Sequence, residues 1–183
     1  MRLMKVRNHS SLVELRDPVD ADALVHFSYA PSAEIVRMYG GETDNLPKPD
    51  MERSKRWLEW LRDHPYSKII VNGGEPVGQV RLHSLDKPDK RARLAIGLLG
   101  EAHLGRGIGR EAITQTLDHA FAEMGLHRVD LRVLSYNKRA IRCYLSCGFV
   151  HEGTEREAAW VSGAWHDDWI MGILAHEHSE RSN

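Results

Sequence analysis

Along the 183-residue chain the apolar positions switch between the alternation of strands and the three-to-four spacing of helices, and each switch marks an element. LVELRDPV, residues 12–19, alternates and predicts a first strand, after which Asp20 is placed to cap a short helix reaching about Tyr29. A second short helix is expected over Ala33 to Met38. Gly40, Gly41, Pro47 and Pro49 then break the pattern, and Asp50 caps a helix whose Trp57, Leu58, Trp60 and Leu61 are expected to face inward. SKIIVNGGEPVGQVRLHSL, residues 67–85, has strand composition on both sides of Asn72-Gly73-Gly74, the signature of a tight hairpin. RARLAIGLL, residues 91–99, predicts a third strand of this meander.

From there the period becomes helical. Ile113, Leu117, Ala120, Phe121 and Met124 share one face, and Gly125 supplies a stop. HRVDLRVL, residues 127–134, reads as a strand and Asn137 to Cys147 as a helix. FVHEGTEREAAWV and AWHDDWIMGIL, joined by Ser162-Gly163, read as a closing antiparallel pair. This order implies an α+β fold: a mixed, mostly antiparallel central sheet with one strand-helix-strand crossover and flanking helices. The crossover puts residues 103–112 at the carboxyl end of a central strand, where open sheets tend to bind ligands.

Those residues, HLGRGIGREA, are the chain's most distinctive chemistry. Gly105, Gly107 and Gly109 let backbone approach an anion, and the first amides of the following helix lack internal acceptors, so the junction is suited to phosphate. By itself the loop reads equally well as a tight turn. It has no Gly-Lys-Ser/Thr ending, which removes the lysine and metal-binding hydroxyl of a nucleoside-triphosphate loop. The even glycine spacing, past the middle of the chain, also disfavours a dinucleotide fold.

Composition narrows the partners. Lys plus Arg is 25 and Asp plus Glu is 26, a net charge of −1, so neither nucleic acid nor an anionic membrane is an expected partner. The length suits one domain over 1–183, with 1–10 and 176–183 expected to be irregular ends and His176 and His178 part of a solvated tail. Cys143 and Cys147 are too few for a disulfide framework or a zinc site, and no metal is expected. Without a signal-like or membrane-length apolar run, the expected location is the cytoplasm.

Three segments carry a resemblance that covers residues 12–174. LAIGLLGEAHLGRGIGREA, NKRAIRCYLSCGF and VSGAWHDDWIMGIL resemble the GNAT superfamily of acyl-CoA-dependent N-acyltransferases, in the branch of ribosomal-protein-alanine and spermidine N-acetyltransferases. The resemblance implies acetyl-CoA as cosubstrate. It implies that Gly105, Arg106, Gly107, Ile108, Gly109 and Arg110 cradle its pyrophosphate, and that Leu98 and Leu99 offer main chain to the pantetheine arm. Asn137 falls on a cofactor-contacting position, Lys138 and Arg139 on positions that can meet the ribose phosphate, and Tyr144 on the general acid.

The chain departs from the family in two places. Leu104 stands where the family often has Gln or Arg, which leaves phosphate binding to main-chain amides. Ala95 and Arg132 stand where some relatives place a glutamate base, so no base is assigned.

The implied reaction is direct transfer of acetyl from acetyl-CoA to a primary amine in a ternary complex, the amine belonging to a protein N-terminus, a polyamine or another small molecule. The alternative is a catalytically inactive CoA-binding regulatory module. A main-chain amide near Leu98 or Leu99 could hold the oxyanion, with Gly97 allowing a bulge. An α-amine with pKa near 8 is about a tenth free at pH 7, whereas a lysine-type amine is free only about 0.04% of the time, which favours an α-amine if no base is present. Tyr29, Tyr39, His83 and Trp165 are candidates to line the acceptor pocket. Asp167 and Asp168 could attract a cationic acceptor, and a homodimer is compatible with all of this.

Overall fold

The computed structural model describes residues 12–182. In chain order the elements are β1 (Val13–Arg16), α1 (Ala21–Ser28), α2 (Ala33–Met38), α3 (Met51–Arg62), β2 (Tyr66–Asn72), β3 (Glu75–Asp86), β4 (Arg91–Leu98), α4 (Ile108–Ala122), β5 (Arg128–Leu134), α5 (Lys138–Cys147), β6 (Val150–Val161), β7 (Ala164–Leu174) and α6 (Ala175–Ser182). The strands form one seven-stranded sheet in the order β1-β2-β3-β4-β5-β7-β6. Every pairing is antiparallel except β4 with β5, which α4 connects as a crossover. The mixed, mostly antiparallel architecture expected from the sequence is the one observed.

Local chemistry explains the elements. Asn72 pairs with Glu75 across Gly73 and Gly74, whose φ of +60° and +88° are the positive angles a two-residue hairpin needs. Asp50 caps α3 by accepting from the Glu52 amide at 3.0 Å. Alternation along β2 sends Ile70 into the main core and Ile69 and Val71 to the opposite face, where they meet Leu61 and Trp57 of α3. The main core joins Ile108, Ala112, Ile113, Leu117 and Ala120 of α4 to Val80, Leu82, Leu94, Val129, Leu131 and Val133 of the sheet. Each fully buried aliphatic side chain contributes about 1.5–3 kcal/mol. Helices thus cover both faces, with α4 on one and α3 on the other.

Several expectations are corrected. Asp20 makes no capping hydrogen bond. The carboxylate that organises the start of α1 is Asp22, 2% exposed, which accepts from Arg16 at 2.8 and 2.6 Å and from the Val19 amide at 2.8 Å. That clamp turns the chain after Arg16, so β1 is shorter than the alternating run. Trp60 faces outward, 42% exposed, with the Arg81 guanidinium 4.3 Å above its ring, because the inner face of α3 is already filled by Leu58 and Leu61. The C-terminal stretch is not irregular. It forms α6, where Glu177 accepts from the Leu174 amide at 2.8 Å and Arg181 donates to the Ser146 carbonyl at 3.1 Å. His178 is buried, 2.6 Å from Asp118 and beside the Phe121 ring, rather than in a solvated tail. The expectation for residues 1–10 lies outside the described residues. Among the described residues no helix is long and apolar enough to cross a membrane.

A pair of glycine substitutions tests the register at the end of β4. A Cβ on Gly78 would lie 2.3 Å from the Gly97 carbonyl oxygen, whereas a Cβ on Gly153 meets nothing within 4 Å. Gly78→Ala is expected to cost about 1–3 kcal/mol as overpacking against backbone. In a domain of this size that lowers Tm by roughly 3–10 °C. Gly153→Ala stays within about 0.5 kcal/mol of wild type. Thermal unfolding of both variants checks this.

Candidate active site

Strands β4 and β5 pair only at Arg91 with Arg128, Ala92 with Val129 and Arg93 with Asp130. Beyond that rung both continue, β4 to Leu98 and β5 to Leu134, without bonding each other. A cleft of about 820 Å³ occupies the opening, within the range of small-molecule sites. Its walls include Ile96, Gly97 and Leu98 of β4, Arg132, Val133 and Leu134 of β5, the loop from His103, and residues of α2 and α5.

Strand alternation sorts the main-chain groups at this opening. The Leu99 amide donates to the Val77 carbonyl of β3 at 2.9 Å, so it is spent inside the sheet, and Leu99 does not line the cleft. The neighbouring Leu98 amide therefore faces the other way, toward the space that β5 has left. Of the two leucines expected to offer main chain, only Leu98 is placed to do so. The bulge expected at Gly97 is absent: Gln79 pairs with Gly97 and Gly78 with Leu98 in regular register, and the opening comes from the departure of β5. Gly97 answers a different constraint. A Cβ there would lie 2.4 Å from the Tyr39 hydroxyl, which crosses the strand to donate to the Ile96 carbonyl at 2.7 Å. The Tyr39 ring is 60% exposed, but its hydroxyl end is sunk against β4, and that burial raises the phenol to about 12.

The glycine loop borders the same cleft. Gly107, at φ +80°, is the N-cap of α4, and Gly105 has φ +72°, a conformation that side chains with a Cβ adopt only with strain. Leu104 donates its amide to the Glu101 carbonyl at 3.0 Å. The amides of Gly105, Arg106, Gly107, Ile108, Gly109 and Arg110 have no acceptor among the described residues, and intrahelical bonding starts with Glu111 donating to Gly107 at 3.1 Å. Unspent amides at the positive end of a helix dipole form an anion site. Arg106 and Arg110 are exposed beside it, and Arg142 of α5 joins them at the rim, a residue the sequence reading did not single out. At Gly109 a Cβ would make only ordinary contact, 3.8 Å from the Cys143 sulfur, so close packing of α5 does not by itself demand glycine there. The cradle thus fits a diphosphate on donor chemistry alone.

Helix α5 supplies the remaining expected residues. The Asn137 side chain accepts from the Ala140 amide at 3.1 Å and donates to the Met38 carbonyl at 3.2 Å, so it caps α5 and ties it to α2 while lining the cleft. Arg139 also lines the cleft and pairs with Glu34 at 3.0 Å, and Lys138 lies 5.4 Å over the Trp169 ring. Tyr144 is buried edge-on to Phe149, centroids 5.9 Å apart, and its hydroxyl makes no hydrogen bond among the described residues. Burial pushes this phenol well above its ordinary value, with Tyr39, Cys143 and Cys147 adding to the effect. Even an ordinary phenol is a weaker acid than a thiol by about 1.5 units, so full transfer of its proton to a free thiolate is uphill by about 2 kcal/mol. What Tyr144 can do is donate a hydrogen bond to sulfur as its charge grows. Cys143 and Cys147 are free thiols.

On the α2 side the cleft is lined by Ile35, Met38, Tyr39, Arg132, Leu134 and Asp168. Of the four aromatic residues expected there only Tyr39 arrives. Tyr29 hydrogen-bonds the His103 ring at 3.0 Å, His83 lies beside His64, and Trp165 meets Trp160 edge-on, all outside the lining. The two adjacent aspartates separate, as alternation requires. Asp167 accepts from the Glu157 amide at 2.8 Å and is structural, while Asp168 turns into the cleft. Arg132 pairs with Glu155 at 2.7 Å.

The family model for the acetyltransferase (GNAT) domain matches residues 12–150. A spermidine N(1)-acetyltransferase of Vibrio cholerae is 29% identical over 133 residues, 72% of this chain and 76% of that protein. An uncharacterized N-acetyltransferase, YokL, derived from the SPbeta prophage of Bacillus subtilis, is 31% identical over 147 residues, 79% of this chain and 80% of its own. The solved structure of the Vibrio cholerae spermidine N-acetyltransferase in complex with CoA and spermine superposes with a TM-score of 0.77 at 22% identity, covering 92% of this chain and 98% of that one. The matched stretch runs through the parted strands, the unspent amides and α5, and the chain belongs to the GNAT family of acetyltransferases.

Proposed function

We propose that the protein moves an acetyl group from acetyl-CoA to a primary amine by direct attack, with both substrates held at once in the cleft between β4 and β5. As a GNAT acetyltransferase it is an acyl-CoA-dependent N-acetyltransferase. The observation that carries the proposal is the adjacency of two unspent main-chain sets: the amides of Gly105–Arg110 for the diphosphate and the Leu98 amide for the acyl arm. A pantetheine arm laid along β4 takes the place that β5 vacates, much as an added strand would. Family membership argues for acetyl-CoA as the donor, and the unspent amides argue for the loop as its phosphate cradle.

The chemistry assigns two roles. The Leu98 amide polarises the thioester carbonyl and holds the oxyanion that forms when the amine nitrogen attacks. Tyr144 donates its hydrogen bond to the sulfur as the carbon–sulfur bond breaks and keeps its own proton, the departing thiolate being protonated by a proton shed from the amine. The amine enters from the α2 side. Acceptors compatible with this arrangement are a small aliphatic amine or a protein N-terminus, and the likeness to an enzyme named for spermidine supports the former. The free cysteines fit a reducing compartment, and we place the protein in the cytoplasm.

Two substitutions separate binding from chemistry. Gly107→Val puts a β-branched residue at φ +80° and a side chain over the cradle, and is expected to weaken acetyl-CoA binding at least about tenfold by calorimetry, with circular dichroism unchanged. Tyr144→Phe is expected to lower acceptor-dependent thiol release by about 10²-fold while leaving the acetyl-CoA Kd as in wild type. An unchanged rate in Tyr144→Phe removes that residue from the mechanism.

A further inference from the structure

Among the described residues, three buried side-chain polar atoms have no hydrogen-bond partner: Arg81 Nε, His103 Nδ1 and Asp168 Oδ1. Arg81 still reaches Gln79 and lies over Trp60, and His103 still bonds Tyr29. Asp168 is different, because it is the one acid of the three and it lines the cleft. Asp168 is half-buried, but this oxygen is shut from solvent, and leaving it without a donor is a cost that a donor arriving with a ligand would relieve.

The neighbouring cations are already engaged. Asp168 pairs across the sheet with Leu134 of β5 on one side and Glu155 of β6 on the other. Arg132, two residues before Leu134 and on the same face, gives its guanidinium to Glu155 at 2.7 Å. Tyr136 donates to the Arg37 carbonyl at 2.6 Å, Arg37 itself lies over the Tyr136 ring, and His166 of β7 meets that ring edge-on. The Arg132–Glu155 pair largely cancels its own charge, so Arg132 offsets the negative charge of Asp168 only in part. Burial raises the Asp168 carboxyl above its ordinary value, opposed by Arg132 and reinforced by Glu155.

The position suits the reaction. Val133 of β5 packs into the core on the α4 face, so Leu134 and its partner Asp168 face the other way, toward α2, where the Leu134 methyl lies 3.3 Å from the Cβ position of Gly40. Tyr144 and the glycine loop belong to the α4–α5 side. The opening between β4 and β5 therefore has a donor for the leaving sulfur on one side and an unpaired carboxylate on the other.

We infer that Asp168 receives the acceptor's reacting nitrogen, binding it as an aliphatic primary ammonium and taking up the proton the nitrogen must lose to free the lone pair that attacks the acetyl carbon. This assignment rests on the acetyl-transfer reading above and names the class of acceptor that reading leaves open. The overall step balances as R–NH3+ plus acetyl thioester giving R–NH–CO–CH3, free thiol and one H+. The nitrogen–carbon bond forms and the carbon–sulfur bond breaks. One of the two protons lost by nitrogen ends on sulfur and the other leaves to solvent, relayed through Asp168. The carboxylate thus fills the place left open by Ala95 and Arg132.

Asp168→Asn keeps the shape while removing charge and basicity. Against a strongly basic alkylamine such as 1,4-diaminobutane, kcat/KM is expected to fall about 10²-fold. Against aminoacetonitrile, a primary amine of low basicity that is neutral at pH 7, the fall is expected to be at most a few-fold, because there is no ammonium to hold. The acetyl-CoA Kd stays unchanged and Tm stays level or rises, since a half-buried negative charge beside Glu155 has gone. Equal losses with both amines, no loss with either, or a lowered Tm that accounts for the loss each overturns the assignment. If wild-type protein binds acetyl-CoA but releases no thiol with any amine, the acetyl-transfer reading fails and the assignment with it. That result is separate from a failure confined to the variant.

Discussion

Everything at the site depends on two neighbouring strands that stop bonding after Asp130. A strand edge inside a sheet is normally spent on its neighbour, and an exposed one invites pairing with any available chain. Here the unspent edge is internal, short and enclosed by α2, the glycine loop and α5. The last rung is held by charge as well as by backbone. Asp130, mostly buried, accepts from Arg93 at 2.9 Å and lies 3.8 Å from Arg128. Beyond it, β4 keeps its partner β3 and β5 keeps its partner β7, so each strand stays rigid while the space between them opens. A rigid edge costs no reorganisation when an oxyanion develops beside it, which is the condition for electrostatic stabilisation to accelerate a reaction.

The opening also divides the chemistry between two faces. On the α4–α5 side lie the anion cradle, the exposed arginines and the buried Tyr144 phenol. On the α2 side lie Tyr39, Leu134 and Asp168. On the proposed reading, donor and acceptor substrates approach from opposite faces and meet only where the strands part. Tyr39 links the two halves, since its hydroxyl is tied to the Ile96 carbonyl in the gap while its ring lines the cleft on the α2 side. Gly97 and Tyr39 are one device: the missing Cβ of the first is the seat of the second.

Much of this was legible in the chain and some was not, for identifiable reasons. The glycine loop announced itself because positive φ and close approach demand glycine, and α4 and α5 because their apolar periods and caps are local. The hairpin at Asn72-Gly73-Gly74 is equally local. The parting of β4 from β5 is not, because it is a failure of pairing between residues far apart in sequence. The difference between Leu98 and Leu99 turns on the phase of the β3–β4 ladder, which the alternation of side chains does not fix. Helix α6 was missed because AHEHSERS has no apolar stripe and is held by polar contacts through Glu177, His178 and Arg181. Asp168 looked no different from Asp167 until the structure gave Asp167 a backbone partner and sent Arg132 to Glu155.

The central claim is that unspent main-chain amides of the glycine loop and of Leu98 receive the acyl carrier. Amide NMR of the isotopically labelled protein titrated with CoA tests it most directly. The account predicts that the signals of Gly105 to Arg110 and of Leu98 shift together along one saturable curve, while the Leu99 amide, bonded to Val77, moves little. Saturable binding that shifts a different surface, or that moves the loop without Leu98, contradicts it.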